Sequence, residues 1–112
     1  MRYYFVSILL LLIHIFAYGQ NTGSITGKAI DNEKNSIEFV NVFLTSVNDS
    51  TRIVNGTVTD NTGSFAFTNV PLGKYFIQFR FVGFVNHQQS VLLNDANKNI
   101  ELGKNRISRD FP

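Results

Sequence analysis

Residues 56–84 read GTVTDNTGSFAFTNVPLGKYFIQFRFVGF, and this stretch decides the fold class. Thr57-Val58-Thr59 runs into Asp60-Asn61-Thr62-Gly63, after which apolar residues return at Phe65 and Phe67. A second turn cluster, Asn69-Val70-Pro71-Leu72-Gly73, launches Tyr75, Ile77, Phe79 and Phe81. Asp and Asn favour turns because their side chains bond nearby backbone groups, and Gly63 and Gly73 can take a positive φ without a Cβ clash. The stretch therefore predicts two successive β-hairpins, with structural turns at Asp60, Gly63, Pro71, Gly73 and Gly83.

Working outward, the same alternation recurs on both sides. Strands are predicted at Ser24–Ile30, Phe39–Val47, Ile53–Thr59, Phe65–Thr68, Lys74–Val82, Val85–Leu93 and Asn99–Leu102. A turn is predicted at Asn48-Asp49-Ser50-Thr51. Seven short strands separated by turn residues point to an all-β, seven-stranded sandwich of Ig-like form. Successive side chains of a strand point to opposite faces. Val40, Val42 and Leu44 then face inward, with Phe39 and Phe43 on the partly exposed side. Phe65, Phe67, Tyr75, Phe79 and Phe81 form the aromatic core, while Lys74, Gln78 and Arg80 mark a wet face shared with Phe76 and Val82. Each buried aromatic contributes about 2–3 kcal/mol.

The first residues have another character. Met1 and Arg2 precede a run of apolar residues broken by His14, and small residues stand at Ala17 and Gly19. A basic start, a short apolar centre and a small-residue site form the pattern of a cleaved export leader, so a signal-peptide helix over residues 1–19 is expected, with cleavage between Gly19 and Gln20. The apolar run is shorter than the roughly 20 residues that span a bilayer. The sandwich is assigned to residues 20–103 and a polar tail to residues 104–112. The 112-residue chain has no cysteine. Disulfides, and the lipidated cysteine of a lipoprotein, are therefore excluded. The formal charge of +2 drops by one when Arg2 leaves, so the basic balance carries no nucleic-acid signal. Lys98, Lys104, Arg106 and Arg109 read as solvated charges near the C-terminus.

Five blocks stand in order: Ile25-Thr26-Gly27-Lys28-Ala29-Ile30-Asp31, Val40-Asn41-Val42-Phe43-Leu44, Gly56–Phe65 (GTVTDNTGSF), Asn69–Tyr75 (NVPLGKY) and Gly83-Phe84. Together they resemble the carboxypeptidase regulatory-like domain, a transthyretin-like β-sandwich. The resemblance covers roughly Ser24 to Leu102. It implies an exported domain like the N-terminal extension of TonB-dependent outer-membrane receptors of Bacteroidetes type, located in the periplasm or at the outer membrane. In such receptors a plug and a barrel follow the domain; here the sequence stops at Pro112, so the expectation is a receptor head truncated before both. The implied partners are outer-membrane receptor components or another protein domain. Membrane contact would come only through an uncleaved leader or a missing barrel.

The residues offer little for catalysis. Zinc chemistry needs about three protein ligands and an open position, but after the leader leaves only His87 remains among the histidines. No G-x-S-x-G elbow is present to raise a serine nucleophile. Asp60-Asn61-Thr62-Gly63 lacks the alternating oxygen ligands of a calcium loop. The expectation is a non-enzyme with no catalytic residues, cofactor or metal. The one candidate surface is the outer aromatic face, formed by Phe39, Phe43, Phe76, Gln78 and Arg80. The alternative role for that face is a stand-alone periplasmic or surface domain that binds a glycan or a peptide.

Overall fold

The computed structural model describes residues 21–110. The expected signal-peptide helix and the expected Gly19–Gln20 cleavage site lie outside the described residues. Seven strands are formed: β1 (Thr22–Ile30), β2 (Asn41–Ser46), β3 (Asp49–Val58), β4 (Ser64–Pro71), β5 (Gly73–Arg80), β6 (His87–Leu93) and β7 (Asn99–Arg106). They build two sheets of order β4-β1-β7 and β3-β2-β5-β6. Every neighbouring pair is antiparallel except β1 and β7, which run parallel. The expected all-β sandwich is the fold.

The two expected hairpins are not formed. β3 lies in the four-stranded sheet and β4 in the other, while β5 returns to the first. Both turns are corners at which the chain changes sheet. The true hairpins are β2–β3 and β5–β6. The physical reason is that alternation reports which side chains face the core, and not which strand a backbone pairs with. Two strands facing each other across a core show the same pattern as two strands side by side. Phe65 of β4 packs edge-on against Phe79 of β5 across the sandwich, with ring centroids 5.4 Å apart and planes at 73°. Such T-shaped pairs contribute about 0.5–1.5 kcal/mol beyond their buried area.

The inward assignments hold elsewhere. Val40, Val42, Leu44, Ile77 and Phe79 are fully buried, joined by Ile25, Phe67 and Leu93. Phe81 is only partly buried, because β5 ends at Arg80 and the chain turns away. The expected turn at Asn48–Thr51 shortens to Val47-Asn48, and Asp49, Ser50 and Thr51 already belong to β3. Phe39 does not start β2: it sits in a turn at φ 66° because its amide bonds the Thr59 carbonyl while the Val40 amide bonds the Thr59 hydroxyl.

The polar-tail reading of residues 104–112 is also corrected. Lys104, Asn105 and Arg106 complete β7, and Ile107 is buried. The Asn105 side-chain amide donates to the carbonyls of Lys28 and Gly103, each at 3.1 Å. The charges that flank Asn105 and Ile107 hide two inward positions from a composition-based reading. Gly27 makes room there: a Cβ on it would stand 2.7 Å from the Phe65 ring and 3.2 Å from the Asn105 amide nitrogen.

Candidate functional site

Along β5 the buried Tyr75, Ile77 and Phe79 alternate with Phe76, Gln78 and Arg80, which therefore face outward. Register places Phe43 of β2 between Gln78 of β5 and Gly56 of β3, and Thr45 beside Phe76. The Phe43 ring lies over Gly56, where a Cβ would approach it to 3.2 Å. The Arg80 guanidinium sits 5.6 Å from the centroid of that ring. Arg80 Nη2 donates to Gln78 Oε1 at 2.8 Å, and Gln78 Nε2 donates to Thr45 Oγ1 at 3.4 Å. A cation over an aromatic face is attracted by the ring quadrupole, so the arginine is held from two sides. A cleft of about 280 Å³ opens here between β5, β2 and β3.

Four of the five residues expected on this surface are thus brought to one sheet face. Phe39 is not among them; it is exposed in the turn before β2 and has no close aromatic or cationic partner among the described residues. Sequence reasoning missed three apolar members of the same face. Val58 pairs with Asn41, Ile53 with Thr45 and Leu92 with Lys74, and each is about half exposed. Ile53 was hidden because a register shift between Leu44 and Thr45 changes which β3 residues face outward. No local signal marks that shift.

The turn residues are held by local hydrogen bonds. Asp60 accepts from the Thr62 hydroxyl at 2.7 Å and from the amides of Thr62 and Ser64 at 2.9 Å. These donors, led by the hydroxyl, hold its carboxyl below the ordinary value of 3.8. Gly63 takes φ 75° with its Cα facing the Ala29 carbonyl, and Gly83 takes φ 85° in open space. At Pro71 and Gly73 the chain leaves β4 for β5, and the Tyr75 hydroxyl donates to the Pro71 carbonyl at 2.6 Å. Burial pushes the Tyr75 phenol pKa up.

A second feature escaped the sequence reading. Val82, expected on a strand, sits in a turn closed by the Phe84 amide on the Phe81 carbonyl, and is 95% exposed. Phe81 and Phe84, on either side of it in the chain, pack with ring centroids 5.5 Å apart, and Arg109 lies over Phe84 at 5.9 Å.

His87 does not stand free on the surface. Its ring lies 5.6 Å from that of Phe79, where it lines the edge of the core. Among the described residues, no three His, Cys, Asp or Glu side chains gather as a metal site would require. On the opposite sheet a shallow hollow of about 400 Å³ runs between Lys28 and Lys104, with Glu101 in its wall.

Residues 25–110 match the family model of the CarboxypepD_reg-like domain. The chain belongs to this family. The match extends past Gly103 and takes in β7 and the Phe84–Arg109 bridge. A search of curated sequences returned no match. Among solved structures, the CarboxypepD_reg-like chain is similar to the major pilin subunit of Bacillus cereus, at 19% identity and a TM-score of 0.66, covering 80% of this chain and 31% of the pilin. It is similar to a chain of a cohesin–X-dockerin complex from Acetivibrio cellulolyticus, at 14% identity and a TM-score of 0.60, covering 78% and 58%. It is also similar to 5-hydroxyisourate hydrolase of Klebsiella pneumoniae, at 16% identity and a TM-score of 0.56, covering 77% and 86%. The chain spans about a third of the length of that pilin. At these identities the likeness is one of fold.

Proposed function

We propose that this CarboxypepD_reg-like domain is a non-catalytic, exported interaction module at the periplasmic side of the outer membrane. In this reading it acts as the N-terminal extension of a TonB-dependent receptor does, by contact through the outer face of its four-stranded sheet. The observation that carries the reading is the gathering of Phe43, Phe76, Ile53 and Leu92 on one sheet face, with Gln78 and Arg80 among them. Exposed apolar side chains gathered on one sheet face form the kind of surface that marks a partner contact. The leader pattern of residues 1–19 supports export. Among the described residues the one histidine packs against Phe79 and the Asp60 carboxylate is taken up by its own turn, which supports a non-catalytic role.

The test is site-specific photo-cross-linking in the native host. A photoreactive phenylalanine analogue at Phe76, on the proposed face, is compared with one at Lys28, on the opposite sheet. The expected result is an outer-membrane receptor chain, identified by mass, joined to the Phe76 probe and absent from the Lys28 probe. Recovery of the protein in the cytoplasmic fraction, or equal labelling from both positions, removes the reading.

A further inference from the structure

We propose that the cleft over Phe43 binds the carboxylate of an extended acidic peptide segment that adds as a strand to β3. The inference rests on the reading of the outer sheet face as the contact surface, and it names the chemistry of the partner. Three observations meet at this place.

The first is an arginine arranged before any ligand arrives. Arg80 is held over the Phe43 ring and by Gln78, which is itself bonded to the buried Thr45. Among the described residues the only ion pair joins Lys98 to Asp95, so Arg80 has no carboxylate partner there. A guanidinium fixed by a platform and a neighbouring amide has lost most of its rotamer freedom already. Its remaining N–H groups match the two oxygens of a carboxylate.

The second is the shape of the cleft. Its lining comes from Arg80 and Gln78 of β5, Thr45 and Phe43 of β2, and Ile53 and Ser50 of β3, three strands that lie side by side in that order. A space of about 280 Å³ holds one side chain. The cation of Arg80 beside the apolar Phe43 and Ile53 suits a glutamate, whose methylenes would cross the ring before the carboxylate meets the cation.

The third is the open edge beside it. β3 pairs with β2 on one side, and no strand lies on its other side among the described residues. The run Ile53–Val58 carries neither charge nor proline, two of the devices that blunt an edge, and its one irregularity is the register shift against Leu44 and Thr45. Backbone hydrogen bonds to such an edge supply affinity without sequence preference, and pockets for alternate side chains supply specificity. In this site the edge would hold the backbone and Arg80 would select the acidic residue.

The test uses 15N-labelled protein, produced by export of the full-length chain, and two capped heptapeptides. One reads Val-Thr-Val-Glu-Val-Thr-Val and the other carries Gln in place of Glu. In NMR titrations, the acidic peptide is expected to shift the amides of Ile53–Val58 and the Arg80 side-chain N–H. The Gln peptide is expected to bind about tenfold more weakly, the scale of one charge-assisted hydrogen bond. Arg80→Gln should bring both peptides to the same affinity, and Phe43→Leu, which removes the platform, should narrow the gap between them. Equal binding of the two peptides to the unaltered protein overturns the carboxylate site. So does the absence of shifts along β3 at millimolar peptide, or a response confined to Lys28 and Lys104. None of these outcomes touches the Phe76 cross-link, which tests the contact face separately.

Discussion

The hydroxyl of Tyr75 donates a 2.6 Å hydrogen bond to the carbonyl of Pro71, across the corner where the chain passes from one sheet to the other. The ring of Tyr75 is buried in the core, so one residue anchors the corner at both its apolar and its polar end. A tyrosine does this where phenylalanine cannot, because only the hydroxyl reaches back to the exposed Pro71 backbone. Tyr75→Phe is expected to keep the core contact and lose about 1 kcal/mol of stability, the net worth of one hydrogen bond. Thermal unfolding should show a fall of about 4–8 °C in Tm for a domain of this size. An unchanged Tm would mean that the bond contributes nothing net.

Thr59 should matter more. Its hydroxyl donates to the Ile37 carbonyl at 2.6 Å and accepts from the Val40 amide at 2.9 Å, and the residue is 1% exposed. Thr59→Val keeps the shape and strands both backbone groups away from water. The expected loss is about 2–4 kcal/mol, since each orphaned buried group costs roughly 1–3 kcal/mol. Thr59→Ser retains the hydroxyl and should lose distinctly less. Urea denaturation of the pair checks the order, and equal losses would assign the effect to packing.

Two of the four positive-φ glycines among the described residues, Gly63 and Gly83, separate backbone strain from crowding. Gly63→Ala brings a Cβ to 2.7 Å from the Ala29 carbonyl oxygen, on top of a φ of 75°. Gly83→Ala meets nothing within 4 Å and pays only for its φ of 85°. The expected cost at Gly83 is about 1–2 kcal/mol. Gly63→Ala should exceed this clearly, because backbone must move to admit the methyl group. Comparable Tm losses for the two variants would contradict the close approach at Gly63.

Acid should weaken the fold through three carboxylates. Asp31 is stabilised as the anion first by the Asn35 amide, Asp49 first by the Thr51 hydroxyl, and Asp60 first by the Thr62 hydroxyl. All three titrate below the ordinary value of 3.8. A depressed folded-state pKa contributes stability that is complete above the unfolded value and is lost as pH falls through the lowered folded value. Tm should hold steady from pH 7 to about 5 and decline below about pH 4. Asp60→Ala should lower Tm at neutral pH, with the gap to the unaltered protein closing as pH approaches 2–3. A gap that stays constant across that range would mean that ionisation of Asp60 does not matter.

The candidate face was partly legible before folding. Phe76, Gln78 and Arg80 share a parity along one strand, and Phe43 has the outward parity of its own. Their meeting was not legible, because β2 and β5 become neighbours through pairing between segments far apart in sequence. Ile53 was hidden by a register shift that leaves no compositional trace, and Phe39 was misplaced because its hydrogen-bond partner, Thr59, lies twenty residues onward in the chain.

The sequence by itself determined the all-β class, the inward faces of Val42, Leu44, Phe65, Phe67 and Tyr75, and the turn chemistry of Asp60 and Gly63. These are local properties: side-chain parity follows from backbone geometry, and turns from the reach of short polar side chains. Only the tertiary structure decided that both glycine turns are corners between sheets, that β7 runs parallel to β1 through Arg106, and that Arg80 lies over Phe43. Backbone hydrogen bonding is identical in kind for every strand, so the choice of neighbour is made by how the two sheets close over one core. That closure is a property of the whole chain, and no short stretch of residues contains it.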